Sequence, residues 1–430
     1  MDRTYSTVIL GAGIAGLAAG NQLAKRQQNC AIFEKNSSEG GLLDGFSVEG
    51  HRFDKAIHLS FATESEVREV FDQTKYYIHQ PEAWCWYYDK WLKHPIHNNL
   101  YPLSAEDKVD LIKDFLQKES LKVNNYEDWL RNEYGNNISE KFNLPYTKKY
   151  WTLDANKLGL DWIGNRVRVA NIEEILFGAV TEETPTYYYA KEMRYPQEGG
   201  YKSFLKPLIS QCKIYKSHQA HNIDIKSKII TFNNGLKVHY KNLISTIPLP
   251  ELIEILDEVP SEIKMLSKTL HATSVDLISV GFNKERIHNK LWFYIYDSDI
   301  FAARCHSPTI KSINNSPSGK SSLQFEIYSS YFSPLEKSVS DMKENTIYAL
   351  KKMKIIKNLD EVEFIHHKHI KYANIIFDIG MERRRDEVLR WLSLTGIKSV
   401  GRFGEWDYLW SNQAFMSGIS AATKIKDELN

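Results

Sequence analysis

At 430 residues the chain is too long for one ordinary core, so two or three domains are expected. Apolar residues at 42% and charged residues at 25% fit a soluble globular protein, and a net charge of +1 offers no broad field for nucleic acid or an anionic membrane. Cys30, Cys85, Cys212 and Cys305 match no metal spacing and read as reduced thiols of a cytoplasmic protein. The start lacks the basic segment of a secretory leader, and no stretch approaches the ~20 apolar residues of a membrane span.

The first element is a strand ending in "STVIL", β-branched and apolar as a buried parallel strand requires. Gly11, Gly13 and Gly16 follow, then a helix to about Arg26. Gly11 permits a sharp turn, Gly13 leaves room for a pyrophosphate against the helix N-terminus, and Gly16 lets the helix pack on the strand. A second strand, "CAIFEK", brings Glu34 to a point 18 residues after Gly16, where a carboxylate accepts hydrogen bonds from a ribose. Strand, turn, helix, strand and acid in this order predict a dinucleotide site, with Lys35 beside it.

Further on, "WCWYYDKWLKHPIHNN" predicts a hairpin with tryptophans in the core and His94 and His97 near a pocket. Residues 104–140 read as helical, opening with Ser104 and Asp107 in near capping-box spacing. Residues 212–250 read as short strands around an "NNG" turn, and 270–332 as antiparallel strands. Residues 336–354 and 382–394 read as helices, the second carrying "RRR" on a solvated face. "HHKH" at 366–369 gives two histidines on one strand face, too few for a metal, and no metal is expected. A strand at 397–401, a loop and a helix from about Asn412 close the chain, with Ser417, Gly418, Ala421 and Ala422 along that helix.

A second glycine pair, Gly40 and Gly41, comes six residues after Glu34 in "EKNSSEGGLLDGF". This arrangement resembles the flavoprotein superfamily of amine oxidases and UDP-galactopyranose mutases, and implies FAD, with Gly41 and Leu42 close to it. Three stretches resemble the mutase branch. In "PYTKKYWTLDANKLGLDWIGNRVRV", Tyr146, Thr147, Lys149, Trp151, Leu158 and Arg166 fall on its pattern. In "GRFGEWDYLW", Gly401, Arg402, Glu405 and Tyr408 match a segment near flavin and diphosphate. "RYPQEGGYKSF" looks like the loop before the middle part of the flavin domain.

The resemblance implies an α/β fold: a Rossmann-like FAD domain made of 1–60, 190–250 and 395–430, a largely helical region over 61–189, and an antiparallel sheet with helices over 251–394. It implies catalytic roles for His58, Arg166, Arg402 and Tyr408. Trp151, Arg166, Arg168 and Tyr408 would bind substrate. Gly11, Gly13, Gly16, Glu34, Lys35, Gly41, Leu42, Gly401 and Arg402 would bind the cofactor. In a mutase the reduced flavin attacks the anomeric carbon and displaces a nucleoside diphosphate, which needs cations for the leaving group.

Two departures stand out. Ala170 occupies the place of a second essential arginine, with Arg168 as a substitute on the other face of an expected strand. Phe61 occupies the place of a histidine beside the flavin. "LISTIPLP" resembles the protoporphyrinogen-oxidase side instead, so an FAD oxidoreductase on an amine or porphyrinogen stays open beside a mutase on a nucleotide sugar for polysaccharide or glycoconjugate synthesis, as does a flavin-binding protein without catalysis. The expected partner is a small molecule, without nucleic acid; association with further copies stays open.

Overall fold

The computed structural model describes residues 3–120, 122–164, 166–185 and 190–425. The outer ends of the 1–60, 61–189 and 395–430 segments lie outside the described residues. No described helix is long and apolar enough to cross a membrane.

Two seven-stranded sheets organise the chain. The first gathers β1 (Arg3–Leu10), β2 (Cys30–Phe33), β9 (Ile214–Tyr215), β10 (Ala220–Asp224), β11 (Ile229–Phe232), β12 (Lys237–Ser245) and β18 (Lys398–Ser399). β1 runs parallel to both β2 and β12, and β18 runs parallel to β12. Val8, Ile9 and Leu10 are buried because helices cover both faces of this sheet, as parallel strands require.

The opening helix, Ile14–Lys25, lies against β1 through small residues. A Cβ on Gly16 would overlap the carbonyl oxygen of Gly11, and one on Gly418 would overlap that of Ala15, so the opening helix and the closing helix, Ser411–Thr423, cross backbone to backbone.

The second sheet has the order β17-β13-β16-β15-β14-β6-β7. Its strands are β6 (Ala83–Tyr87), β7 (Lys90–Lys93), β13 (Ser274–Phe282), β14 (Trp292–Ile295), β15 (Arg304–His306), β16 (Ser321–Ser329) and β17 (Val362–Ile370). Side chains alternate between its faces. Phe293, Leu323, Phe325 and Ile327 pack with the helix Val339–Lys352, while Tyr294, Arg304 and Tyr328 face a cavity.

Two expectations need correction. The 61–189 region opens with the helix Ser65–Phe71, then carries the strands β5 (Tyr76–His79), β6 and β7 before its remaining helices. β6 pairs in parallel with β14, more than 200 residues on, and no local pattern encodes such a partner. Residues 166–171 form no strand, so Arg168 does not alternate faces there. Among the described residues two further antiparallel pairs stand apart from these sheets: the hairpin of β3 (Gly45–Val48) with β4 (His51–Asp54), and β5 with β8 (Met193–Pro196).

Candidate functional site

The carboxyl ends of β1, β2, β12 and β18 open on a single cavity of about 1500 Å³. That exceeds the ~300–1,000 Å³ of one ordinary ligand site and leaves room for a cofactor and a substrate together. Gly11, Glu34, Thr246 and Gly401 mark those four strand ends on its wall.

The end of the cavity around Gly13 is built from main chain. Gly11 has φ +99°, open to glycine at little cost, and a Cβ there would run into the Thr246 hydroxyl. Gly13 caps the opening helix with no side-chain bond, and the first turn holds no acid, so its amide groups are left for an anion. A Cβ on Gly13 would meet no protein atom within 4 Å, because it would enter the cavity. The Gly40–Gly41 turn closes over it: Gly40 donates to the Ala12 carbonyl at 2.8 Å, and a Cβ on Gly41 would lie 3.3 Å from Gly13 Cα. Gly16 stays outside the cavity lining and acts through packing alone.

Glu34 is buried just past β2. Its Oε2 accepts from the Ala12 amide at 2.8 Å, and its Oε1 accepts from Asn36 N at 2.9 Å and Nδ2 at 2.7 Å. The carboxylate is thereby aimed along the cavity edge, beside Lys35 and Leu42. Lys35 pairs with Glu251 at 3.8 Å. Lys55, absent from the expected set, donates to the Gly41 carbonyl at 3.2 Å and to Asp44 at 3.1 Å.

The other end is built from rings and cations. The guanidinium carbons of Arg166 and Arg402 each stand 4.6 Å from the centre of the Tyr408 ring. They lie no more than twice that distance apart, and two cations so close in a walled cavity repel unless an anion joins them. Arg166 also stacks on Trp410 and donates to the Tyr408 carbonyl. Arg402 donates to the Leu409 carbonyl at 3.1 Å and to Asn374 Oδ1 at 2.9 Å. Its Nε, and Nδ2 of Asn374, are buried with no partner. Trp151 is the wall behind: 5% exposed, it packs edge-on against Tyr408 at 5.5 Å.

Arg304 was missed by sequence reasoning. It reaches the same cavity from β15, over the rings of Tyr150 (5.4 Å) and Tyr328 (6.0 Å). The available signal was a lone cation in the apolar run "IFAARCH". Arg168 lines the rim, but its guanidinium is engaged by Glu174 and is 43% exposed.

His58 faces the cavity next to Phe61, and Phe61 packs edge-on against Trp410 at 4.8 Å. Burial pushes the His58 imidazole down to about 4, with the Asp54 carboxylate opposing, so the ring is neutral at physiological pH. His94 and His97 line the helical side of the cavity, both pushed down by burial, His94 to about 4 and His97 to about 3. His367 and His369 share one oxygen of Asp276, at 2.7 and 3.0 Å. Glu405 accepts from Ser417, whose hydroxyl accepts from the Gly401 amide at 2.9 Å, so this acid ties the loop to the closing helix.

Known proteins place this geometry. The family described as the NAD(P)-binding Rossmann-like domain matches residues 9–74. A 1-hydroxycarotenoid 3,4-desaturase of Flavobacterium sp. (strain P99-3) is 47% identical over 47 residues, 11% of this chain, and the match spans only 10% of that protein's length. The crystal structure of reduced UDP-galactopyranose mutase superposes with a TM-score of 0.92 at 25% identity, over 97% of this chain and 93% of that one. An Exiguobacterium protein classed as a protoporphyrinogen oxidase superposes at 0.74 with 14% identity, over 98% of each chain, a likeness of fold alone. The fold is that of the amine oxidase and protoporphyrinogen oxidase flavoproteins, in a mutase-like branch. FAD fits the site: an uncapped helix N-terminus, the space before Gly13, the poised Glu34 and the unpartnered donors of Arg402 and Asn374 are what its diphosphate, ribose and ring system require. The chain has the fold of these flavoproteins and a dinucleotide site that fits FAD.

Proposed function

From this place in the mutase-like branch, we propose that the chain interconverts the pyranose and furanose forms of a nucleotide-linked sugar, in the cytoplasm, for polysaccharide or glycoconjugate synthesis. The observation that carries the reading is the pair of guanidinium groups over Tyr408, in one cavity with the cofactor cradle. The chemistry that bound, reduced FAD would supply is a nucleophile for the anomeric carbon. The chain's own residues do the rest.

Arg166, Arg402 and Arg304 take the negative charge of a leaving diphosphate, for which guanidinium groups offer paired hydrogen bonds. Tyr408 and Trp151 give the sugar and base an apolar wall. The closing helix presents its N-terminal end, Trp410 to Ala414, to the cavity and favours negative charge there. His58, neutral and buried, orients through its ring on Tyr201, at 5.3 Å, rather than carrying charge.

A second reading, an FAD oxidoreductase on an amine or porphyrinogen, is favoured by Phe61, which leaves an apolar face where a mutase carries histidine. The test is chromatography of a dithionite-reduced, FAD-loaded sample incubated with a panel of nucleotide sugars. Isomerisation without net oxidation is expected. Oxygen consumption or dye reduction with an amine, and no isomer, would transfer the chain to the second reading.

A further inference from the structure

Glu326 sits on β16, in the middle of the second sheet, and is fully buried. It does not line the cavity, yet three residues that do, Ile57, Arg304 and Tyr328, converge on it. Its Oε1 accepts from the Ile57 amide at 3.0 Å, one residue before His58. Its Oε2 accepts from Arg304 Nε and from the Tyr328 hydroxyl, the latter at 2.6 Å. Arg304 and Glu326 are also direct partners across β15 and β16. The Arg304 guanidinium lies over the Tyr150 and Tyr328 rings and is hydrogen-bonded through Nε alone; its two terminal nitrogens have no hydrogen-bond partner among the described residues.

We infer that Glu326 is a positioning residue: it fixes Arg304 relative to the Ile57–His58 loop, so that an anion held by Arg304 meets the cofactor side of the cavity at one place. The identity of that anion rests on the reading above; the positioning itself rests on the three bonds. A guanidinium on a long flexible stem is free to swing, and a buried carboxylate bound at Nε leaves only the outward edge of the fork for a ligand. The same carboxylate oxygen pair holds the loop that carries His58. One side chain therefore couples the cofactor-facing loop to the substrate-facing strand. The other end of the loop is anchored separately, by Asp54, which accepts from Lys311 at 2.8 Å and from the Tyr195 hydroxyl at 2.7 Å, all three buried.

Glu326→Gln is the informative variant. The amide keeps the shape and an acceptor for Ile57 but removes the charge that holds Arg304. In the FAD-loaded full chain, FAD content is expected to stay within about twofold, and pyrophosphate affinity to hold or tighten, because the Arg304 charge is no longer offset. Turnover of a nucleotide sugar is expected to fall at least about tenfold at saturation, as misplacement of a bound reactant does. The flavin midpoint potential is expected to rise, since a buried negative charge beside the cofactor-facing loop is gone.

Loss of FAD, pyrophosphate affinity and turnover together would show a merely structural residue and overturn the inference. Turnover and potential both equal to wild type would overturn it too. If wild type binds neither pyrophosphate nor a UDP-sugar, the nucleotide-sugar reading fails. Glu326 is then judged on the potential alone: a rise in Glu326→Gln with FAD content held supports its hold on the loop, and no change removes it.

Discussion

Around Gly13 the cavity is walled by main chain: an uncapped helix turn, a second glycine turn laid over it, and one carboxylate held by a backbone amide. Around Tyr408 it is walled by side chains that arrive from Leu144–Trp151, from the loop at 166, from β15 and from the segment after β18. The first wall tolerates no added atom on the ligand side and little variation in spacing. The second needs only that cations and rings meet, and many sequences satisfy that. One end is specified by backbone geometry and the other by assembly, so substitutions at the two ends should fail differently.

The largest effect belongs to Gly13→Val. Gly13 has φ −75° and free space beyond it, so the chain should fold with a melting temperature near that of wild type and retain essentially no FAD. A yellow, stable Gly13→Val protein would break the account of the cradle. Gly11→Val should differ: its positive φ and the Thr246 hydroxyl stand against any side chain, so the protein itself should be lost.

At the opposite wall, Arg166→Ala and Arg402→Ala should each weaken a nucleotide sugar by ~1.5–3 kcal/mol, the scale of a charge-assisted hydrogen bond. Lysine should recover only part, since an ammonium cannot make paired bonds or stack flat on Tyr408. FAD content should not move in the Arg166 variant. Measured by isothermal titration and flavin absorbance, equal loss of FAD and nucleotide in that variant would erase the distinction between the two ends.

Glu34→Ala should cost about 1.5 kcal/mol of FAD affinity, because it removes a ribose acceptor and leaves the Ala12 amide without its partner. Nucleotide-sugar affinity of the refilled enzyme should be unchanged, and equilibrium dialysis against FAD reads the first effect.

The smallest effect is on pH. Burial holds His58 and His94 near 4 against an ordinary 6.5. The unfolded chain therefore takes up these protons first as pH falls, so stability is complete above pH 6.5 and erodes between 6.5 and 4. Asp54 is held below its ordinary value, mainly by Lys311 against the cost of burial, so its contribution persists until lower pH. Thermal melts at pH 7.5 and 5 should show the loss, and His94→Phe should reduce it; melting temperatures independent of pH over that range would contradict the burial of these rings.

Legibility followed the same division. Gly11, Gly13, Gly16 and Glu34 were readable because a tight turn and a close approach demand particular residues at fixed offsets. Arg166, Arg402 and Tyr408 came from a resemblance, and the structure brings them together over one ring. Arg304 and Glu326 were not readable. Glu326 lies in an alternating strand where a charge looks like any outward residue, Arg304 shows only as a lone cation in an apolar run, and only the register of β15 with β16 makes them a pair. Arg168 carried the right charge at an attractive place, but Glu174, one helical turn into the next element, engages it. Lys311 and Asp54 are distant in sequence and meet only in the finished core.

The central claim is that cofactor and diphosphate share one cavity, with Arg166 and Arg402 receiving the second. A flavin-fluorescence titration of wild type, Arg166→Ala, Arg402→Ala and the double variant with UDP and with a UDP-sugar tests it most directly. The expected result is saturable binding to wild type, weakening in each single variant, and a double variant weakened by less than the two losses combined, as two cations holding one diphosphate would give. Absence of any response from wild type at millimolar ligand would contradict it.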